Sequence, residues 1–193
     1  FDEDSFHSLE VQDEQHFEIL YVASDDAPDF KAMLRDDRCR TFATMSEAVA
    51  AARAPWVIFP GSICEYEPTS FRQLLVAASN YEAWAAQKKA EMPGAGTIAN
   101  RADVVTFTDA DGSLEHSDVF RYLHIDASTV LDNRQTFSAA ELENGIFHFA
   151  SAAPYNKLFA TDLVKACAER DPEACRDVSV FAMKCLASAQ AIL

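Results

Sequence analysis

The chain has 193 residues, of which 49% are hydrophobic, and this suffices for one domain, residues 1–193, with a real core. Its formal net charge of −15 argues against nucleic acid and anionic membrane surfaces as main partners. No apolar run reaches the length of a membrane span, so we expect none. The five cysteines form no Cys-x-x-Cys pair, which favours reduced thiols and a cytoplasmic protein.

Strand and helix patterns alternate in the first part of the chain. Residues 17–23 are rich in β-forming residues, and residues 40–43 are a second strand candidate. Ser46 is placed to cap a helix over residues 47–53. This alternation predicts an α/β fold in which helices flank an open, largely parallel sheet.

Residues 56–59 form a short continuous apolar run, which is typical of a strand buried on both faces. Pro60 and Gly61 end this run, and a long helix follows from about Ser70 to Met92. In open α/β sheets, ligands bind beyond the carboxyl end of such a strand. We therefore expect any chemistry to lie just after residue 59.

A strand over residues 102–108 leads into the turn Asp109-Ala110-Asp111-Gly112, and a returning strand follows it. An Asp-Gly pair between two β-type runs is typical of a hairpin, so residues 102–126 are expected to form a hairpin appendage. The alternative is a metal site on the carboxylates of Asp109 and Asp111.

The last part of the chain begins with a compact, mixed segment over residues 154–159. One helix is expected from Asp162 to about Ala168, and another begins near Asp177.

Several segments, in order, resemble the family-2 glycosyltransferases, which have the GT-A nucleotide-diphospho-sugar transferase fold. The segments that carry this resemblance are Ser8-Leu9-Glu10-Val11-Gln12, residues 17–22, residues 59–68, Pro154-Tyr155-Asn156-Lys157-Leu158-Phe159, and Arg176-Asp177-Val178 followed by Phe181. The resemblance implies a GT-A-like sheet whose first strand precedes Phe1. We accordingly expect the sequence to be a fragment.

The resemblance also implies an activity, namely transfer of a sugar from a nucleotide-sugar to a glycan acceptor in bacterial surface-polysaccharide synthesis. Such an enzyme would act in the cytoplasm or at the inner face of the membrane, with Mg²⁺ or Mn²⁺ on the diphosphate. Two family aspartates that contact the nucleotide fall on Ala23 and Ser24 here. Asp25 and Asp26 could replace them as substrate-binding residues after a two-residue slip.

The metal-binding Asp-x-Asp of the family falls on Gly61-Ser62-Ile63, so its carboxylates are missing. Glu65 is a nearby but displaced metal candidate. We therefore expect an impaired or inactive transferase without a cofactor, or with Mg²⁺ or Mn²⁺ if it is active. The alternative is a non-catalytic scaffold or partner-binding module of the same fold.

Three further positions have both a functional and a structural interpretation. Asp177 matches the family's general base, but it also stands where a helix begins and can cap that helix. Asn156 and Lys157 could bind an acceptor or phosphate, or could fix a loop between a strand and a helix.

Overall fold

The computed structural model describes residues 3–23, 36–60, 65–92, 98–106 and 154–193. The described helices are α1 (Glu3–Glu10), α2 (Met45–Ala51), α3 (Ser70–Glu91), α4 (Thr161–Arg170) and α5 (Val178–Ser188), with a 3₁₀ helix at Pro172–Arg176. The strands are β1 (Ile19–Val22), β2 (Cys39–Phe42), β3 (Trp56–Ile58), β4 (Val104–Thr106) and β5 (Lys157–Ala160). The fold is therefore mixed α/β, and none of its described helices has the length and apolar character needed to cross a membrane.

The strands form two sheets. Strands β1 and β2 pair in parallel, with Ile19 opposite Cys39. Strand β5 lies between β3 and β4 and runs antiparallel to both. Strands β3 and β4 consequently share one direction, and the 22-residue helix α3 lies between them in the chain. An isolated parallel bridge joins Val104 to Ile192 at the edge of β4.

The observed strand directions differ from the predicted, largely parallel sheet. Of the strand pairs in the described ranges, β1–β2 is parallel, whereas β3–β5 and β4–β5 are antiparallel. The difference comes from β5, which lies between β3 and β4 and runs antiparallel to both. The sequence pattern indicated only a mixed segment over residues 154–159, so this strand was not predicted. Of the predicted hairpin over residues 102–126, the structure describes the first strand, β4, and the rest lies outside the described residues.

Helices pack on both faces of the three-stranded sheet. Alternate strand residues point to opposite faces, so Phe159 and Val104 join a core cluster with α4 and α5. Leu158 and Val105 point the other way and pack against α3. The buried face of α3 consists of Leu74, Ala78, Tyr81 and Ala85.

The N-cap of α2 lies two residues earlier in the chain than predicted, at Thr44 instead of Ser46. Thr44 has extended backbone angles, and its hydroxyl accepts a hydrogen bond of 3.2 Å from the backbone N–H of Glu47. Ser46 lies inside the helix, so its prediction as the cap is wrong. Thr44 and Ser46 both carry a short side-chain hydroxyl that can cap a helix, so the sequence pattern alone did not distinguish them.

Candidate functional site

The carboxyl end of β3 lies beside the start of β5. Ile58 is opposite Leu158 in the antiparallel register. Phe59 comes directly after Ile58, the last residue of β3. Asn156 and Lys157 come directly before Leu158 in the chain. These three residues therefore lie at the same end of the β3–β5 pair. The end of β3 and the segment with the Asn-Lys pair thus come together, whereas residues 61–64, on which the family's Asp-x-Asp falls, lie outside the described residues.

Helix α5 also reaches this end of the sheet. The ring of Phe59 packs edge-on against the rings of Phe159 and Phe181, with centroids 5.6 and 6.0 Å apart. Phe181 lies one turn after Asp177, the residue that begins α5. The aromatic contacts therefore bring the first turn of α5 to the carboxyl end of β3.

Asn156 and Lys157 form a buried polar pair. Lys157 is 1% exposed and Asn156 is 5% exposed. The Nζ of Lys157 donates a hydrogen bond of 2.6 Å to the Oδ1 of Asn156. Burial lowers the pKa of the Lys157 amine to about 8, because the charged form loses hydration. Both side chains lie inside the fold, so this geometry favours the loop-fixing interpretation over direct contact with a ligand.

Asp177 is the N-cap of α5. Its Oδ1 accepts hydrogen bonds from the backbone N–H groups of Ser179 at 2.8 Å and Val180 at 3.0 Å. Its own backbone is extended, as an N-cap requires. The capping interpretation of Asp177 therefore has direct structural support, while its proposed role as a base remains a prediction.

Side-chain hydrogen bonds of Gln12 connect the end of α1 to residues 66–71. Its side chain is 2% exposed. Its Nε2 donates to the carbonyl oxygens of Ser8 at 2.9 Å, Glu67 at 2.8 Å and, more weakly, Tyr66 at 3.4 Å. Its Oε1 accepts from the backbone N–H of Phe71 at 3.1 Å. The sequence pattern indicates no role for Gln12 beyond the resemblance, although a side-chain amide can bond both the N–H and the C=O groups of a backbone.

Tyr66 extends this connection to the Asn-Lys segment. Its hydroxyl donates a hydrogen bond of 3.0 Å to the carbonyl oxygen of Tyr155, which immediately precedes Asn156. Its ring packs against that of Phe71 with centroids 5.4 Å apart. The segment after β3 is thus held from two sides, by Gln12 and by Tyr155.

Glu65, the displaced metal candidate, lines a shallow cleft of about 380 Å³ between α1 and the segment after β3. Asp4, His7 and Glu67 line the same cleft. Within the described ranges, no three His, Cys, Asp or Glu side chains are grouped so that they could hold a metal ion. The other carboxylate candidates, Asp25, Asp26, Asp109 and Asp111, lie outside the described residues.

The described residues at the carboxyl end of β3 do not form the carboxylate site for a divalent cation that the resemblance implies. Mg²⁺ and Mn²⁺ require several oxygen ligands, preferably carboxylates. Of the described residues at this end, the Phe59 ring and the buried Lys157 amine offer no oxygen ligand, and the carboxylate of Asp177 caps α5, while residues 61–64 lie outside the described residues. An ammonium group would also repel the metal.

No protein-family model matches the chain. No curated protein matches it at a significant level. The function of the site is accordingly inferred from the residues and from their geometry.

Proposed function

We propose that this chain is a family-2 glycosyltransferase-like domain with a GT-A-like fold and a non-catalytic role, as a scaffold or partner-binding module. The observation that carries the proposal is the composition of the carboxyl end of β3. By the resemblance, Gly61, Ser62 and Ile63 stand in place of the carboxylates that metal-dependent sugar transfer needs, and the described residues beside them are Phe59 and the buried Lys157. Among the described residues at this end of the sheet, Phe59 and Lys157 offer a nucleotide diphosphate and its metal no oxygen ligand from their side chains.

Two features support the GT-A-like part of the proposal. The sheet β3–β5–β4 has helices on both faces, as a nucleotide-sugar transferase domain of this class requires. Three of the segments that resemble the family also meet around one end of this sheet, although they are far apart in sequence. Gln12, Tyr66 and Asn156 belong to three such segments, and hydrogen bonds join their neighbourhoods.

The use of Asp177 supports the non-catalytic part. One carboxylate oxygen is already engaged by two backbone N–H groups of α5. The backbone of α5 thus occupies an oxygen that a general base would use. Such a group suits a helix cap better than it suits a general base.

A thermal unfolding experiment tests the proposal. A ligand that binds only the folded state must raise the melting temperature. We expect Mn²⁺ with millimolar UDP or GDP to leave the melting temperature unchanged. A rise that requires both the metal and the nucleotide would contradict the non-catalytic role.

Variants of Asp177 separate capping from catalysis. Asp177→Ala should lose about 1 kcal/mol of stability, whereas Asp177→Asn should lose little, because asparagine caps equally well. Sugar transfer from UDP-sugars and GDP-sugars would be measured in parallel on the wild type and both variants. Transfer by the wild type that disappears in Asp177→Asn would assign the base role to Asp177 and overturn the proposal.

An active transferase is the second candidate, and it would depend on the carboxylates that line the cleft beside α1, although within the described ranges they are not grouped as metal ligands. Glu65 and Glu67 lie on the segment that follows β3, and Asp4 faces them from α1. If they bind Mn²⁺ for an anionic nucleotide-sugar, the double variant Glu65→Gln, Glu67→Gln should abolish any melting shift caused by Mn²⁺. A shift that persists in this variant would exclude the cleft.

A further inference from the structure

Residues 190–193 lie along the edge of β4 as a short parallel strand. The backbone N–H of Val104 donates a hydrogen bond of 3.2 Å to the carbonyl oxygen of Ala191. The N–H of Leu193 donates in turn to the carbonyl oxygen of Val104 at 2.9 Å. Val104 therefore bonds to both neighbours of Ile192, which is the hydrogen-bond pattern of a parallel strand pair.

Two side chains beside this edge add to the backbone pairing. The carboxylate of Asp103 accepts hydrogen bonds from two successive N–H groups, those of Gln190 at 2.7 Å and Ala191 at 3.3 Å. The backbone N–H and the side-chain hydroxyl of Thr106 both donate to the carbonyl oxygen of Leu193, at 2.8 and 3.0 Å. The edge of β4 therefore holds the backbone of the added strand at both of its ends.

The side chains of the added strand enter apolar surroundings on both faces of the sheet. Ile192 has no exposed surface and joins the core cluster that includes Phe181 and Leu186 of α5. Leu193 points the other way and packs against the cluster that includes the buried face of α3. In strand addition, main-chain hydrogen bonds give affinity for an extended peptide, and pockets for alternate side chains give specificity. The edge of β4 provides both.

The backbone of the added strand is connected to the fold along this edge. Ala189, which precedes the strand, ends α5 with an extended backbone (φ −69°, ψ 139°). Within the described ranges, the backbone hydrogen bonds of residues 190–193 all go to residues 103–106. Parallel pairing is slightly less stable per residue than the antiparallel pairing that joins β4 to β5. The strand can therefore open locally while the remainder of the sheet stays folded.

We propose that the edge of β4 is a strand-addition site for an extended peptide, and that residues 190–193 fill it as an internal competitor. The ligand is a partner segment that runs parallel to β4 and places a large aliphatic side chain at the position of Ile192. It binds only while residues 190–193 are released, so its apparent affinity is reduced by the released fraction. The site does not depend on whether the domain transfers sugar, because none of its residues takes part in the candidate functional site.

Peptide binding to the full chain and to two variants at residue 190 tests the site. The probe is a fluorescein-labelled peptide with the sequence of residues 188–193, and binding is followed by fluorescence anisotropy. Gln190 is exposed, and Gln190→Pro removes the N–H that bonds to Asp103, while the extended Ala189 suits a following proline. We expect this variant to bind the peptide about tenfold more tightly than the wild type does, because its own strand is released more often. Gln190→Ala is the matched control, since it keeps the N–H, and it should bind as the wild type does.

Two altered peptides show whether binding uses the contacts of the added strand. Methylation of the leucine amide removes the donor that bonds to Val104, so this peptide should bind Gln190→Pro about tenfold more weakly. A peptide with aspartate in place of isoleucine should not bind, because the place of Ile192 is completely buried. The unmodified peptide should also slow the amide hydrogen exchange of residues 103–106 in Gln190→Pro.

Three results would overturn the proposal. They are equal peptide affinities of Gln190→Pro and Gln190→Ala, equal binding of the methylated and unmodified peptides, and no binding to folded Gln190→Pro at millimolar peptide. Each of them would mean that the edge of β4 does not take a strand from another molecule.

Hydrogen exchange of the wild type decides the proposal even if Gln190→Pro does not fold. We expect the amide of Leu193 to exchange by local opening, at a rate that low concentrations of urea do not change. The amide of Phe159, in the central strand β5, should exchange only by global unfolding and thus faster with urea. The same urea dependence at Leu193 and Phe159 would show that residues 190–193 are a permanent edge strand, and would overturn the proposal.

Discussion

The amine of Lys157 donates a hydrogen bond of 2.6 Å to the side-chain oxygen of Asn156 within the core of the fold. Lys157 is the first residue of β5, the central strand of its sheet, and stands opposite Thr106 of β4. A buried ammonium costs free energy unless it is well hydrogen-bonded, and its pKa falls instead. The pair therefore makes the stability of this sheet depend on pH.

We predict that the protein becomes more stable as the pH rises from about 8 to 10.5. The pKa of Lys157 is about 8 in the folded chain and 10.5 in its ordinary state, so the unfolded chain binds more protons in this range. The free energy of unfolding of the protein therefore increases with pH by up to about 3 kcal/mol over this range. Lys157→Met should remove this increase, as measured by urea unfolding at each pH.

A second lysine–asparagine pair supplies the control for that measurement. Lys89 donates a hydrogen bond to Asn100 at the surface. Because this amine remains hydrated, Lys89→Met should leave the alkaline increase in place. If Lys157→Met and Lys89→Met both removed the alkaline increase in stability, burial of the Lys157 amine would not be its cause.

Gln12 should contribute more to stability than any surface glutamine of this chain. Gln12→Ala would leave the carbonyl oxygens of Ser8 and Glu67 and the N–H of Phe71 without their buried partner. We expect a loss of about 2–4 kcal/mol in urea unfolding. Gln15→Ala is the matched control, since Gln15 is exposed, and it should change stability by less than about 0.5 kcal/mol. Similar losses of stability in Gln12→Ala and Gln15→Ala would contradict the role of the buried Gln12 hydrogen bonds.

Local signals in the sequence were sufficient for several elements. The β-forming run at residues 17–23 contains β1, and the apolar run at residues 56–59 contains β3. The apolar spacing from Ser70 onward predicted α3, and the capping chemistry of Asp177 predicted the start of α5. In each case the deciding interaction lies within one turn or one strand.

Long-range contacts explain what the sequence did not reveal. Strand β5 has four residues and begins with a lysine, so neither its length nor its polarity indicated a central strand. Its place is decided by β3 and β4, which lie about a hundred and about fifty residues earlier in the chain. The role of Gln12 likewise depends on backbone groups more than fifty residues away.

Glu18 should make the protein sensitive to acid. Its carboxylate, 13% exposed, binds Arg40 of β2 at 2.5 Å and Arg53 at 3.0 Å, and it also accepts from the backbone N–H groups of Arg53 and Ala54 just before β3. Burial alone would raise its pKa, but these hydrogen bonds outweigh burial and lower it. Glu18 thus connects the β1–β2 pair to the segment that leads into β3.

The direction of the acid effect follows from the lowered pKa. The stability that Glu18 contributes is present above the ordinary value of 4.5 and is lost as the pH falls through the lower folded value. Glu18→Gln should cost about 1–2 kcal/mol at pH 7 and less at pH 3. Glu169→Gln, on the exposed face of α4, should change stability little at either pH. A Glu18→Gln deficit that is the same at both pH values would contradict this account.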